Sequence, residues 1–255
     1  MPDTGYGSPP FLRACDASRA CREIEGSGPL ASWQRMRAGS FVLARYRRSL
    51  STVEVRLTPS PAGRMIGEHF AIRADGRFRY RDAQGVLRLP PDFATYLRGR
   101  HRQAVRTNVG HARRAGLRIE MRQVEDWVPG DGDSRFGHIH AGPVEWWLAF
   151  DSDGSLVGEA ILSVDEEVAL LHGLTTGATF ARWMLHAEIV ERLCGHCELL
   201  LVNSDEAYAL SAGNQHFQRL LGYEVAQLRF GRTLSPRREP VLAVGAGEVA
   251  ANVEV

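Results

Sequence analysis

Residues 156–194 read LVGEAILSVDEEVALLHGLTTGATFARWMLHAEIVERLC. Two apolar runs, 155–165 and 167–176, meet at Asp165-Glu166, which is the pattern of two strands joined by a tight turn. Gly177 breaks the pattern. From 178 to 194, Phe180, Met184, Ala187, Ile189 or Val190, and Leu193 recur at helical spacing and predict one long helix. Thr176 or Thr179 is placed to cap its start with a hydroxyl. Upstream, VEWWLAFD (144–151) is a third apolar run. It ends in Asp151-Ser152-Asp153-Gly154, a hairpin turn with glycine where positive φ costs least. Downstream, ELLLVNS (198–204) reads as a short buried strand and GNQHFQRLLG (213–222) as a short helix stopped by Gly222. YEVAQLRF (223–230) reads as a last strand. The expected class is α/β (α+β), a mixed central sheet with an antiparallel meander.

The long helix runs into Cys194-Gly195-His196-Cys197. A dithiol redox motif belongs at a helix N-terminus, where the helix dipole lowers a thiol pKa. Here the order is reversed, with Cys194 ending a helix and Cys197 preceding a strand. Zinc needs further ligands, and the step between Cys15 and Cys21 is longer than the usual C-x₂₋₄-C. The motif is read as a helix-to-strand turn, with no metal expected.

Bulk properties narrow the classes. The 255 residues are 44% hydrophobic and 24% charged, with a formal net charge of +1. No run is long enough to span a bilayer. The opening MPDTGYGSPPFLR has neither a basic nor an apolar signal region, so a cytoplasmic protein is expected. All 31 basic residues are arginine. The absence of lysine excludes a lysine Schiff base and a P-loop.

The arginines are unevenly spread. Between Thr95 and Gln123 there are eight Arg against one Glu. On a single helix, Leu97, His101, Val105, Val109 and Ala112 form one stripe, with Arg98, Arg102, Arg106 and Arg113 beside it. Gly116 is a plausible stop before an alternating stretch, 117–124. This is either a solvated helix face or an anion-binding face for phosphate or tRNA, since guanidinium forks match phosphate geometry.

Three segments taken together resemble the GNAT (GCN5-related N-acetyltransferase) superfamily. LVGEAILSV and EVALLHGLTT resemble its third and fourth strands, and GNQHFQRLLGYEV its closing signature, with Phe217, Gly222 and Tyr223 in register. YLRGRHRQAVRTNVGHARRAGLRIE looks like the helix and first strand of the FemX-like and CelD-like branches. The resemblance covers roughly 94–230. It implies an N-acyltransferase that moves an acyl group, acetyl above all, from acetyl-CoA or another acyl-CoA to a small-molecule or peptide amine. FemX-like, aminoacyl-tRNA-dependent transfer is the alternative, and a catalytically silent binding module is a third reading.

The resemblance also implies where the donor lies. The pyrophosphate would rest on backbone N–H groups at the start of the long helix, at Thr175, Thr176, Gly177, Ala178 and Thr179. Arg182 would add a charged contact, Leu174 or Thr175 an oxyanion donor, and Asn203 and Asn214 contacts to the donor's arm. Two departures stand out: the family's phosphate-loop glycines are reduced to Gly177, and Gln218 stands where a protonating Tyr is usual. From the residues themselves, Glu159 shares a strand face with Val157 and Ile161, and His172 lies near the end of its strand. These two are the candidate bases.

The first 93 residues carry strand signals at 39–50 and 51–59, and a hairpin through Ala74-Asp75-Gly76. YGSPP and TPSPAG read as loops. The expected organisation is a β-rich N-terminal region (1–93), a GNAT-like domain (94–232) and a tail (233–255).

Overall fold

The computed structural model describes residues 48–74, 77–80, 83–128, 141–202 and 210–231. In chain order these are β1 (Ser51–Val55), α1 (Pro61–Phe70), β2 (Ala71–Ala74), β3 (Arg77–Tyr80), β4 (Ala83–Arg88), α2 (Phe93–Tyr96), α3 (Gln103–Arg114), β5 (Arg118–Trp127) and β6 (Gly142–Phe150). They continue with β7 (Leu156–Asp165), β8 (Val168–Thr176), α4 (Ala181–Leu193), β9 (Leu199–Val202), α5 (Ala212–Leu221) and β10 (Glu224–Phe230). One mixed eight-stranded sheet holds them in the order β1-β10-β4-β9-β8-β7-β6-β5, and β2-β3 form a separate hairpin.

The meander read from the sequence is present and gains a strand. β5 through β8 pair antiparallel in succession. β8 and β9 are parallel, which requires a crossover, and α4 supplies it. Helices α3, α4 and α5 cover one face. Val105, Val109, Leu185, Ile189, Leu193 and Leu221 pack there on Ala160, Leu162, Leu171 and Leu200. On the other face Ile66 and Phe70 of α1 pack against Val53, Val55, Val168, Leu170, Leu199 and Leu228. Burying both faces of β8 and β9 explains their continuous apolar runs.

Three expectations need correction. First, of the expected loop 58–63, residues 61–63 are instead the first turn of α1. Pro61 occupies the first helical position, where it has no N–H to lose, and Ser60 Oγ accepts the Gly63 N–H at 2.9 Å. Second, the arginine-rich stretch is not one helix. Gly99 (φ 89°) breaks it after α2, and a 3-10 turn at Arg100–Arg102 leads into α3. Third, β1 and β4, from the expected N-terminal region, belong to the central sheet, with β4 between β9 and β10. The strand signals at 39–47 and the tail from 233 lie outside the described residues. No helix among the described residues is long and apolar enough to cross a membrane.

Two polar devices fix α1 onto the sheet. Asp165, 3% exposed at the end of β7, accepts from Thr58 N (2.8 Å), from the Thr58 hydroxyl and from Ser60 Oγ (2.7 Å). Ser163 Oγ lies 2.8 Å from His172 Nε2 and 3.2 Å from Met65 Sδ. Together they seat the helix start and its middle over β7 and β8.

Candidate functional site

β8 pairs with β9 from Val168↔Leu199 to Leu171↔Val202, the last pair among the described residues. β8 then continues to Thr176 beside β7, through Ala160↔Leu174, Glu159↔Thr175 and Gly158↔Thr176. At this end lies a cavity of about 260 Å³, lined by Leu156, Val157, Gly158, Glu159, Thr175, Thr176 and Gly177. It sits where a parallel strand hands over to its crossover helix, the end of an α/β sheet at which ligands gather.

Glu159 is the titratable group in the cavity wall. Alternation along β7 puts it on the face shared by Ile161 and Ser163. It is only 7% exposed, and Thr175 Oγ1 donates to its Oε1 at 3.4 Å. A carboxylate held between strands beside a cavity can take a proton from a bound nucleophile. Gly158 makes the geometry possible. A Cβ there would fall 2.8 Å from Thr176 Cγ2 and 3.2 Å from Leu185 Cδ1, so the close approach of β7, β8 and α4 needs glycine. Leu156, Val157 and Gly158 were not among the expected site residues; a glycine inside a strand pattern was the available signal.

The start of α4 is built differently from the expectation. Gly177 does not adopt positive φ, and a Cβ added to it would meet only Val157 O, at 3.9 Å. Its N–H donates to that same carbonyl at 2.9 Å, extending the sheet rather than facing a ligand. The cap position is Phe180, and neither Thr176 nor Thr179 caps the helix. Phe180 already has helical φ and ψ, and its ring stacks on His111 of α3 at 5.3 Å, so packing fixes this end. Thr179 is exposed, while Leu174 and Ala178 pack against the core. Arg182 turns to α5, its guanidinium 4.5 Å from the Phe217 ring centre.

His172 is placed apart from the cavity lining. The β7–β8 register shifts between Ile161 and Leu162, which makes His172 the extra residue of a bulge. It is 1% exposed, bonded to Ser163 and edge-on to His69 with ring centres 5.5 Å apart.

The three arginines expected to bind anions part company. Arg98 is exposed. Arg106 donates through Nη1 to the carbonyls of Leu97 and Gly99, the latter at 2.9 Å, and so ties down the turn before α3. Arg102 stacks 4.9 Å over the Tyr96 ring, and burial pulls its pKa down. Nearby, His186 is 1% exposed with Nε2 2.9 Å from Tyr223 Oη; burial first, then the Arg102 charge, push its pKa down to about 3. Exposed Arg98, Arg100, Arg113, Arg114 and Arg118 complete the cationic surface, and Arg113 pairs with Glu188 at 3.4 Å.

Asn203 lies outside the described residues. Asn214 is exposed in the first turn of α5, where its N–H is capped by Ser211 Oγ at 3.2 Å. Gln218 is buried against the sheet; its Oε1 lies 2.9 Å from the position of a Cβ built on Gly85. Cys194 and Cys197 form no disulfide, Cys197 Sγ donates to the Glu166 carbonyl at 3.2 Å, and burial pushes each thiol up to about 11, the opposite of what dithiol chemistry requires. Among the described residues no His, Cys, Asp or Glu group is placed to hold a metal.

No family model and no curated protein matches the chain. Solved structures that it is similar to include the C-terminal domain (DUF2156) of a lysylphosphatidylglycerol synthetase from Agrobacterium fabrum, described in its name as putative. That match is 14% identical over 57% of this chain and 58% of that one, with a TM-score of 0.39. L-PGS from Bacillus licheniformis matches at 11% identity over 59% and 60%, with a TM-score of 0.38. A conserved protein of unknown function from Bacteroides thetaiotaomicron matches at 13% over 58% and 60%, with a TM-score of 0.39. The chain thus spans less than two thirds of each of these chains. The expected membership of the GNAT superfamily is overturned: no model of that family matches the chain, and the two neighbours with a named activity are described as lysylphosphatidylglycerol synthetases. The segments that carried the resemblance have a strand, helix and turn spacing common to many mixed sheets. The insertion of β4 between β9 and β10 left no mark on that spacing.

Proposed function

We propose that the protein is an acyl-group transferase, which moves an acyl or aminoacyl group from an ester or thioester carrier to an amine. The observation that carries this reading is Glu159, a buried carboxylate in the wall of a cavity at the end of β8, with the Thr175 hydroxyl on it. As the amine nitrogen attacks the acyl carbon, the C–O or C–S bond to the carrier breaks. Glu159 takes the proton that the nitrogen sheds and hands it to the departing oxygen or sulfur, so the carrier leaves as an alcohol or a thiol and the carboxylate is restored. Thr175 fixes the carboxylate's orientation. The cavity, about 260 Å³, suits the transferred group and not a whole carrier.

Acyl-CoA and aminoacyl-tRNA both bring phosphates that must lie outside this cavity. The exposed Arg98, Arg100, Arg114 and Arg118 beside α3 favour the nucleic-acid carrier, whose binding would weaken with salt. The assignment rests on the cavity and the charged surface, and not on the partial likeness to synthetase structures. The test supplies labelled acetyl-CoA and, separately, labelled aminoacyl-tRNA together with a panel of amines. Label is expected to move to an amine from one of the carriers. Transfer from neither would overturn the reading.

A further inference from the structure

β5 is the last strand of the sheet, and among the described residues its outer edge pairs with nothing. It is ten residues long, and Arg118, Glu120, Met121, Arg122, Gln123, Glu125 and Asp126 are exposed. Long open edges invite pairing with another chain, and proteins usually blunt them. Here the side chains are arranged so that one partner fits. Arg118, Glu120 and Arg122, opposite Phe150, Leu148 and Trp146 of β6, share one face. Ile119, Met121 and Gln123 share the other, and Met121 is 41% exposed.

A second copy can add to this edge antiparallel about a two-fold axis. Opposed residues must lie on the same face of the pleat, so the axis has to pass through a residue. Centred on Glu120, the pairing sets Glu120 against itself and Arg118 against Arg122. Centred on Arg122, it sets Arg122 against itself. Centred on Met121, it sets Arg122 against Glu120 twice, Ile119 against Gln123, and Met121 against Met121. Registers centred on Ile119 or Val124 also oppose unlike charges, but the first runs off the start of β5 and the second crosses the shift after Val124; the Met121-centred register matches charges within the regular stretch and covers the exposed methionine. The regular pairing of β5 with β6 runs from Arg118 to Val124, a stretch symmetric about Met121, before the register shifts. The geometry points to β5 as a homodimer edge, joined to a second copy of this chain in the Met121-centred register. Within one strand Arg122 and Glu120 already lie 3.4 Å apart, so in the dimer the four charges form one alternating cluster. This inference is independent of the proposed transfer chemistry.

A single strand pairing buries less than a stable interface needs, so the dimer belongs to the weak, concentration-dependent class. Sedimentation velocity of the full chain, from low micromolar to the highest soluble concentration, is expected to show a reversible monomer–dimer equilibrium. Glu120→Arg sets an arginine against Arg122 twice, because symmetry doubles every change; it should raise the dimer Kd by about tenfold or more. Arg122→Glu should do the same by opposing two glutamates. The decisive arm mixes the two single variants. Each strand is then wholly positive or wholly negative at 120 and 122, and heterodimer should form at wild-type concentrations although neither variant pairs with itself. Heterodimer formation also shows that both variants are folded. A wild-type chain that stays monomeric, a dimer indifferent to Glu120→Arg, or a mixture that fails to associate while both variants keep wild-type melting temperatures would each overturn the inference.

Discussion

Consider a methyl group added at Gly222, the C-cap of α5. The residue has φ 89° and ψ 15°, the left-handed region, where a side chain costs about 1 kcal/mol. The added Cβ would lie 1.7 Å from Arg102 Nη2 and 2.2 Å from its Cζ and Nη1, so the guanidinium must leave. Its seat is the Tyr96 ring, 4.9 Å away, a cation–π contact of roughly 0.5–1 kcal/mol at a half-exposed site. Gly222→Ala should therefore destabilise the fold by about 2 kcal/mol, or about 4–8 °C in Tm for a chain of this size. Thermal unfolding of Gly222→Ala, Arg102→Ala and the double variant separates the parts. With Arg102 truncated the clash is gone, so the double variant should lose less than the sum of the singles, by about 0.5–1 kcal/mol. Unchanged stability in Gly222→Ala, or strict additivity, would refute the seating of Arg102 and return it to the pool of ligand-binding arginines.

Other expectations follow from the same packing. His186 has a folded pKa of about 3 against an ordinary 6.5, so the unfolded chain binds its proton first and stability falls as pH drops. This group should lower stability steadily as pH falls below its ordinary value, and His186→Gln should show a flatter acid limb in urea titrations run across that window. Gly63→Ala places a Cβ 2.2 Å from the Thr58 carbonyl and 2.7 Å from Asp165 Oδ2, backbone and a buried network that cannot step aside. A loss of about 3 kcal/mol or more is expected by urea denaturation, and a loss below about 1 kcal/mol would contradict the Thr58–Ser60–Asp165 clasp. Burial holds the Cys194 and Cys197 thiols up to about 11, so peptide mapping after iodoacetamide at neutral pH should find both nearly unmodified in the folded protein. Cys194→Ser should leave any transfer activity intact.

The half of the chain from Val144 onward was legible because its signals are local. Alternation, the Asp151–Gly154 turn, helical spacing in 178–194 and Gly222 as a stop each depend on neighbours in sequence. The meander, α4, α5 and their order followed from them. What could not be read was set by distant contacts. β4 looks like one arm of a hairpin, yet it pairs with β9 and β10, more than a hundred residues away. α1 hid behind a Pro-Ser-Pro-Ala-Gly string that suggests a loop, although Ser60 and Pro61 together make a sound helix start. The site divides the same way. Glu159, Thr175, Thr176 and Gly177 share one cavity because strand register brings Glu159 opposite Thr175. A one-residue bulge keeps His172 out of that wall, and no pattern in the sequence announces it. Arg102 and Arg106 read as a charged face, and the chain reversal at Gly99, with its positive φ, lets Arg106 bond the turn and Arg102 lie on Tyr96.

The central claim is that the Glu159 carboxylate performs acyl transfer at the end of β8. The measurement that reaches it most directly is the single-turnover rate of label transfer to amine by wild type and by Glu159→Gln, alongside the donor Kd and the melting temperature of each. Glutamine keeps the shape and cannot take the proton. The rate should fall by about 10²–10⁴-fold, with donor affinity and Tm close to wild type. Transfer by Glu159→Gln at the wild-type rate would contradict the account.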